Sequence, residues 1–470
     1  MPSVERIVFL SLVLDLFAFT VPLPLFPRLI EWYTVREISD SNGFLARTLA
    51  FVSGLRQSLY DPGPNVNSAR WDIVLLGGLL GSVFSTLQFI VSPKIGSLSD
   101  KYGRKRILLI TMIGNILSAL VWIKSTTFAT YLLSRIIGGL SEGNVQLAIA
   151  ILSDVTTPGN RSKALAHVGI AFAICFCIGP PIGAYFATKP LPPSLAENTW
   201  LGDVNVYAAP ALLTLVLLVA ETVFLMVSLP ETRGKALAKP SPKSEAKKNG
   251  PPKPKASIEQ RIDILKSLRR IHFLFLGIFS GMEFTLTFMT FDLFDWNNKQ
   301  NGYLIGSIGI ISALLQGGYV RRATSKVGEG KMARRGVAAC TLAFVLLSIL
   351  PHFSSSGGQT AFRLLQAAAV CMAFTSATVV SSLTAFASLQ CDEPSMDEAS
   401  GKPLEEHPQL AKGKALGMFR SSGQLGRALG PLIACASYWT VGPSYTYGAA
   451  AVAMFILMGG MKRIAATRSR

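Results

Sequence analysis

Long apolar segments alternate with shorter polar ones along nearly the whole chain. A helix that crosses a bilayer needs about 20 largely apolar residues. Twelve segments approach that length: 7–27, 73–95, 107–124, 128–150, 163–187, 208–230, 271–291, 303–320, 336–351, 361–388, 415–439 and 444–461. Hydrophobic residues make up 50% of the chain and charged residues only 15%, whereas soluble domains carry about 25% charge. The pattern predicts an all-α membrane protein with twelve transmembrane helices.

The formal net charge of +18 is distributed in a way that favours membrane topology over nucleic-acid binding. Basic residues dominate the connections 96–106, 231–270 and 321–335 and the C-terminal tail, whereas 28–72 is balanced and 291–302 is slightly acidic. Basic loops stay on the cytoplasmic side of a membrane. With an even number of spans, both termini are predicted to be cytoplasmic. The charges do not distinguish the plasma membrane from an internal membrane.

The segment 231–269 divides the spans into two groups of six. Its first part is rich in Pro and Lys and too poor in apolar residues to bury a core, so we expect it to be disordered. Its last part, 258–269, has apolar residues at helical spacing, and we expect an amphipathic helix that lies on the inner leaflet or against the protein. This division predicts an N-terminal six-helix bundle in 1–230, a cytoplasmic linker, and a C-terminal six-helix bundle in 270–470.

The two groups of spans resemble each other at a single offset. A shift of 251 residues aligns Lys163-Ala164-Leu165 with Lys414-Ala415-Leu416, and Gly179-Pro180 with Gly430-Pro431. The match suggests two pseudo-symmetric bundles, and transporters built in this way bind solute near the midplane between the halves. Six residues are expected to bend helices or to let them pack closely: Gly179, Pro180, Gly183, Gly426, Gly430 and Pro431.

Charged residues inside the predicted spans are the candidates for binding protons or solute, because a charge at that depth is costly unless it is paired or hydrated. Seven stand out: Asp15, Arg135, Glu142, Glu221, Glu283, Arg420 and Arg427. Structural roles are the alternative. Asp15 would then bond a neighbouring helix, and Arg135 would pair with Asp15 or Glu142. Glu221 and Glu283 would pack or reach a helix end, and Arg420 would lie at the cytoplasmic interface.

A charged turn between the second and third spans is a candidate conformational latch. It contains Gly96, Asp100, Gly103, Arg104, Lys105 and Arg106. The glycines permit a tight turn and close backbone approach, and Asp100 can face the positive N-terminus of another helix. The alternative is a simple turn that carries cytoplasmic positive charge.

This turn resembles the G-x-x-x-D-[RK]-x-G-R-[RK] motif of the major facilitator superfamily, which lies between helices two and three. Other stretches agree with that family: Leu14-Asp15 with Pro24 and Pro27, Arg135 with Gly138 and Gly139, Gly179 to Gly183, and Leu229 to Thr232. One departure is Cys175, where the fifth-helix antiporter motif has its first glycine. Within the superfamily, the chain resembles the eukaryotic tetracycline-transporter-like group.

The resemblance implies a secondary active transporter that moves small organic solutes by alternating access, through proton-coupled antiport. An uncoupled organic-solute facilitator and a non-transporting membrane receptor or scaffold are the alternatives. The implied partners are the solute, protons and the lipid bilayer, with the protein acting as a monomer. The sequence shows no phosphate-binding Gly-rich loop with Lys, no nucleophile with a nearby base and no metal-ligand cluster. We therefore expect neither an enzyme nor a bound cofactor or metal.

Overall fold

The computed structural model describes residues 3–22, 25–40, 42–59, 68–188, 204–233, 257–296, 298–354, 359–391, 407–462 and 466. Their helices in the N-terminal half are α1 (Val4–Thr20), α2 (Phe26–Arg36), α3 (Phe44–Leu59), α4 (Ser68–Tyr102), α5 (Arg104–Ile123), α6 (Phe128–Ser141), α7 (Asn144–Val155), α8 (Pro158–Ala187) and α9 (Ala208–Ser228). Those in the C-terminal half are α10 (Ile258–Phe294), α11 (Asn298–Leu315), α12 (Arg321–Val327), α13 (Glu329–Ser354), α14 (Gln359–Gln390), α15 (Lys412–Val441) and α16 (Pro443–Gly460). A π-helical turn, Gln316–Val320, joins α11 to α12. The described chain is all-α.

Nine helical stretches among the described residues are long and apolar enough to cross a membrane. They are Leu75–Tyr102, Arg104–Ile123, Phe128–Val155, Pro158–Ala187, Ala208–Ser228, Ile258–Phe294, Gln300–Thr324, Glu329–Phe353 and Gln359–Gln390. The other three predicted spans overlap α1, α15 and α16, but α1 ends at Thr20 and so covers only part of the predicted span 7–27. These helices are shorter or more polar: α1 has 17 residues, α15 carries two arginines within its apolar run, and α16 opens with a polar turn.

The fourth predicted span is interrupted. The helix α6 ends at Ser141 and α7 begins at Asn144, so Glu142 and Gly143 form a break inside the apolar run. The break places Glu142 at a helix end, where its side chain is not held on a continuous helical face.

The amphipathic segment expected near 258–269 is continuous with the seventh predicted span. The helix α10 runs for 37 residues, and Ser257 caps it by accepting a hydrogen bond from the Gln260 N–H. The Pro- and Lys-rich part of the expected linker, 234–256, lies outside the described residues.

The helix α15 packs along both α4 of the N-terminal half and α10 of its own half. Glycines permit the close approach, because a Cβ at Gly430 would meet the backbone carbonyl of Gly277 on α10. The contact of α8 with α1 is similar, since a Cβ at Gly183 would meet the carbonyl of Val21. Two more of the predicted glycines lie at these helix contacts: Gly179 faces Thr20, and Gly426 faces Gly277. The predicted prolines, Pro180 and Pro431, lie inside α8 and α15.

We predict that Gly430→Ala lowers the thermal unfolding midpoint of the detergent-purified protein, because the added methyl group overpacks the α10–α15 contact at a cost of about 1–3 kcal/mol. Gly306→Ala on α11 is the matched control, since nothing lies within 4 Å of a Cβ at that position. Equal midpoints for the two variants would contradict the packing role of Gly430.

Candidate functional site

A cavity of about 390 Å³ lies between the two halves. Its walls are largely apolar, and both halves contribute phenylalanines: Phe19, Phe84, Phe172, Phe176, Phe275, Phe279 and Phe419. Charged side chains line it at a few points: Asp15, Glu142, Glu283, Arg420 and Arg427. An apolar chamber with a few convergent charged groups is the usual form of a small-molecule site. We therefore take this cavity as the candidate solute site.

Asp15 lies two thirds of the way along α1 and is 4% exposed. One carboxylate oxygen accepts a hydrogen bond of 2.5 Å from Nδ2 of Asn144, the first residue of α7. Asp15 lines the central cavity and also a smaller side cavity, which it shares with Arg135 and Glu142. The structure thus brings three of the predicted residues to one region.

Arg135 on α6 is half-buried. The ion pair with Asp15 or Glu142 that was the alternative role for Arg135 is not what the structure shows. Its guanidinium lies 5.6 Å from the ring centre of Trp122 and 5.5 Å from that of Tyr131, which suits cation–π attraction. Within the part of the chain that the structure describes, no carboxylate oxygen lies within 4.0 Å of it. Glu142 is not its partner because α6 ends at Ser141, which removes the shared helical face.

The remaining predicted residues divide between the cavity and the interior. Glu283 on α10 and Arg427 on α15 are exposed to the cavity from the C-terminal half. Arg420 also lines the cavity rather than lying at the end of α15. Glu221 is separate from them, because it is fully buried in α9, where it accepts a hydrogen bond of 2.8 Å from the Ser11 hydroxyl.

Sequence reasoning did not identify His272 and Gln316 as cavity residues. His272 is buried and stacks on Phe419 with ring centroids 4.2 Å apart. The apolar run begins at 271, which puts His272 near a span end, whereas the helix itself begins at Ile258. Gln316 opens the π-helical turn and lines the same cavity. A π-helical turn has no marked residue pattern, although such turns are frequent at functional sites.

The Asp100 carboxylate joins the two halves beyond one end of the cavity. Its oxygens accept hydrogen bonds from the backbone N–H groups of Gly413, at 2.9 Å, and Lys414, at 2.7 Å. Both belong to the first turn of α15, whose N-terminus carries partial positive charge. Gly96 on α4 allows this approach, because a Cβ there would meet the Gly413 carbonyl.

Arg104 balances the acidic groups at this contact. It is fully buried, with Nη1 2.8 Å from Asp100 and Nε 2.9 Å from Asp154. Lys412 of the other half lies 3.4 Å from the second oxygen of Asp154. Sequence reasoning missed Asp154 and Lys412, since both look like ordinary helix-end charges. We call this cluster the Asp100 junction: Asp100, Arg104, Asp154, Lys412, Gly413 and Lys414.

The other residues of the predicted latch serve the turn itself. Gly103 has a φ of 98°, a conformation that favours glycine. Lys105 donates a hydrogen bond of 2.8 Å to the carbonyl of Met226, and Arg106 is exposed. Of the three consecutive basic residues, only Arg104 contacts Asp100.

A second contact between the halves lies at a related position. The Ser162 hydroxyl near the start of α8 donates a hydrogen bond of 2.5 Å to Glu329, the first residue of α13. Ser162 and Gly413 are 251 residues apart, the offset of the internal repeat. Gly328, before α13, has a φ of 93°, close to that of Gly103. One partner of each contact therefore keeps the offset of the repeat, whereas the acids Asp100 and Glu329 are 229 residues apart.

Comparison with known proteins fits this geometry. The family model for the major facilitator superfamily matches residues 8–401. The chain belongs to the major facilitator superfamily.

Individual relatives within the superfamily are also similar to this chain. The mouse "Major facilitator superfamily domain-containing protein 10" is 32% identical, over 97% of this chain and 92% of that protein. The crystal structure of the human organic anion transporter MFSD10 (TETRAN) matches with a TM-score of 0.78 and 29% identity, over 98% of this chain and 100% of that chain. A class H tetracycline resistance protein of Pasteurella multocida is 38% identical, over 23% of this chain and 26% of that protein.

These findings confirm the resemblance drawn from the turn at 96–106, including its likeness to the tetracycline-transporter-like group. As a member of the major facilitator superfamily, the chain is a multi-pass membrane transporter and not an enzyme. The cavity and the Asp100 junction are therefore features of a transporter.

We predict that Asp100→Asn shifts the resting population toward a form opened at the junction. The variant loses the charge on two hydrogen bonds to a helix N-terminus and on two ion pairs, with Arg104 and with Arg233. The expected loss is about 1–2 kcal/mol, or about tenfold in population. The measurement is thiol labelling of Cys391, which is 1% exposed, in a background where the other five cysteines are replaced.

The control for this measurement is Asp263→Asn on α10, which removes an exposed carboxylate 3.5 Å from Lys266. Labelling of Cys391 at the same rate in Asp100→Asn and the parent would show that the junction does not hold the closed form.

Proposed function

We propose that this transporter moves small organic solutes by alternating access and couples their movement to proton antiport. The observation that carries the proposal is the cavity of about 390 Å³, lined by charged groups of both halves, with the Asp100 junction closing the space between the halves beyond it. A site between two related halves is accessible from one side at a time when the halves rock against each other.

A two-bundle architecture supports this proposal. We infer twelve transmembrane helices, with the N-terminal bundle in 1–230, a cytoplasmic linker in 231–269 and the C-terminal bundle in 270–470. The repeat at one offset and the related contacts of Gly413 and Ser162 favour this division. The basic connections favour both termini on the cytoplasmic side. The Asp100 junction is then cytoplasmic, and the halves are in contact on that side.

Asp15 is the proposed proton site. It is nearly buried, yet it lines the cavity, so it meets solvent on one side and protein on the other. A carboxyl group in this position can alternate between the neutral and charged forms as its access to water changes. Glu283 is the second candidate, because it is the acid that the C-terminal half exposes to the same cavity.

Arg427 is the proposed contact for the charged end of an anionic solute. It is exposed to the cavity, and Arg420 lines the same wall seven residues earlier on α15. Aromatic side chains of both halves would cover an apolar body. The human relative of known structure is an organic anion transporter, which makes aromatic carboxylates the first solutes to test.

We predict that Asp15→Asn abolishes proton-driven uphill transport and leaves a folded, solute-binding protein, because the amide cannot exchange a proton but keeps the side-chain size. The measurement uses proteoliposomes with an imposed pH gradient, an internal pH dye, and a panel of radiolabelled aromatic carboxylates and quaternary ammonium compounds. Accumulation should fall to simple equilibration in the variant.

Glu5→Gln, on the first turn of the same helix, is the matched control and should accumulate solute normally. Uphill transport with unchanged pH dependence in Asp15→Asn would make Asp15 structural and direct the same test to Glu283. Solute flux without any proton movement in the parent protein would instead indicate a facilitator, and no flux with any probe a receptor or scaffold.

A further inference from the structure

Glu221 is a buried acid that the solute cavity does not use. Its exposed fraction is 0%, and it lines neither the central cavity nor the side cavity. The hydroxyl of Ser11 donates to Oε1 at 2.8 Å, whereas Oε2 has no hydrogen-bond partner among the described residues. Natural proteins rarely leave a buried polar atom unsatisfied without a reason.

The surroundings of Glu221 do not compensate a negative charge. Within the described part of the chain, no basic nitrogen lies within 4.0 Å of it. The packed helix α5 has no ionisable side chain between 107 and 123. The ionisable side chains on the other packed helices are Glu5, Arg6 and Asp15 on α1, and Arg161, Lys163, His167, Cys175, Cys177 and Tyr185 on α8. Asp15, together with Glu142 after α6, interacts electrostatically with Glu221, and both are acids. A lone carboxylate in such a place is costly, so the group is stable as the neutral acid.

Asp15 is also buried, but it makes contacts that Glu221 lacks and it lines the cavity. It lies four residues after Ser11, so the two side chains share one face of α1 on successive turns. Asn144 donates to its carboxylate and Arg420 attracts it from the C-terminal half, whereas the Glu142 carboxylate repels it. Because Ser11 binds Glu221 one helical turn before Asp15, the two carboxyl groups lie on the same side of α1. Asp15 therefore reaches the cavity, and Glu221 lies enclosed in the protein behind it.

We propose that Glu221 is the internal proton partner of Asp15, and that the proton passes between the two carboxyl groups inside the N-terminal half. In this step the O–H bond on Glu221 breaks as one forms on Asp15, and Glu221 remains as a carboxylate held by the Ser11 hydroxyl. The reverse step restores the neutral Glu221 and the ionised Asp15. The proton is thus retained in the protein while the cavity changes the side to which it opens. This inference rests on the proposed function, since it takes Asp15 as the group that exchanges protons with the cavity.

The test is a pH titration of the purified full-length protein by infrared difference spectroscopy, which follows the carboxylic-acid band without any solute. Two interacting acids titrate as a pair, in two steps separated by more than about one pH unit. Asp15→Asn and Glu221→Gln should each leave one step. In Glu221→Gln, hydrogen–deuterium exchange at Asp15 should also lose its slow, protected component.

Three further variants separate a proton partner from a structural acid. Ser11→Ala should alter the second step and Ser11→Thr should restore it, because threonine keeps the hydroxyl. Thr222→Val, next to Glu221 on α9, is the matched control and should leave both steps unchanged, since its hydroxyl bonds only its own helix at Leu218.

Two outcomes would overturn the inference. One is a titration and exchange profile in Glu221→Gln that matches the parent, which would make Glu221 a permanently neutral packing group. The other is normal proton-driven transport by Glu221→Gln in the proteoliposome assay. Failure of the parent protein itself to couple solute to protons would refute the proposed function and would be distinguishable, because it appears without any substitution at Glu221.

Discussion

The contact of the Asp100 carboxylate with the first turn of α15 is the constraint on which the rest of the structure depends. It holds α4 of one half against α15 of the other at the positive end of that helix. Arg104 makes the contact possible, because its positive charge lies between the Asp100 and Asp154 carboxylates, and Lys412 supplies the second positive charge. Glycines at the crossing remove the side chains that would keep the helices apart. With the halves joined there, the cavity is left between them.

Charged side chains are paired in the junction and incompletely paired in the cavities. In the junction, buried acids and bases are paired at hydrogen-bond distance, which is the condition under which buried charge is tolerated. In the central cavity, Glu283 and Arg427 face open space. In the side cavity, Arg135 lies against aromatic rings rather than a carboxylate. Pairs fix one arrangement of the halves, whereas incompletely paired groups keep their capacity to bind a proton or a solute.

Features that depend on a single segment of the chain could be predicted from the sequence. Apolar run length located the helices, and Asp15 and the turn at 96–106 were visible as charges in unusual places. It did not predict the break at Glu142, since the apolar composition continues through it. The pairing of Arg104 with Asp154 and the stacking of His272 were also hidden, because they depend on the relative register of distant helices. Side-chain pairing across helices is a property of packing, which a single apolar pattern does not specify.

The contacts made by Ser162 and Gly413, which are 251 residues apart, differ in which amino-acid substitutions they tolerate. At position 162 a side-chain hydroxyl makes the contact, so threonine could donate the same hydrogen bond to Glu329. At position 413 the backbone makes it, and any Cβ would meet Arg104, Asp100 and the Gly96 carbonyl together. Single substitutions can therefore change the side chain at position 162 and keep the contact. At position 413 any side chain disrupts the contact, so Gly413 and Gly96 must both remain glycine.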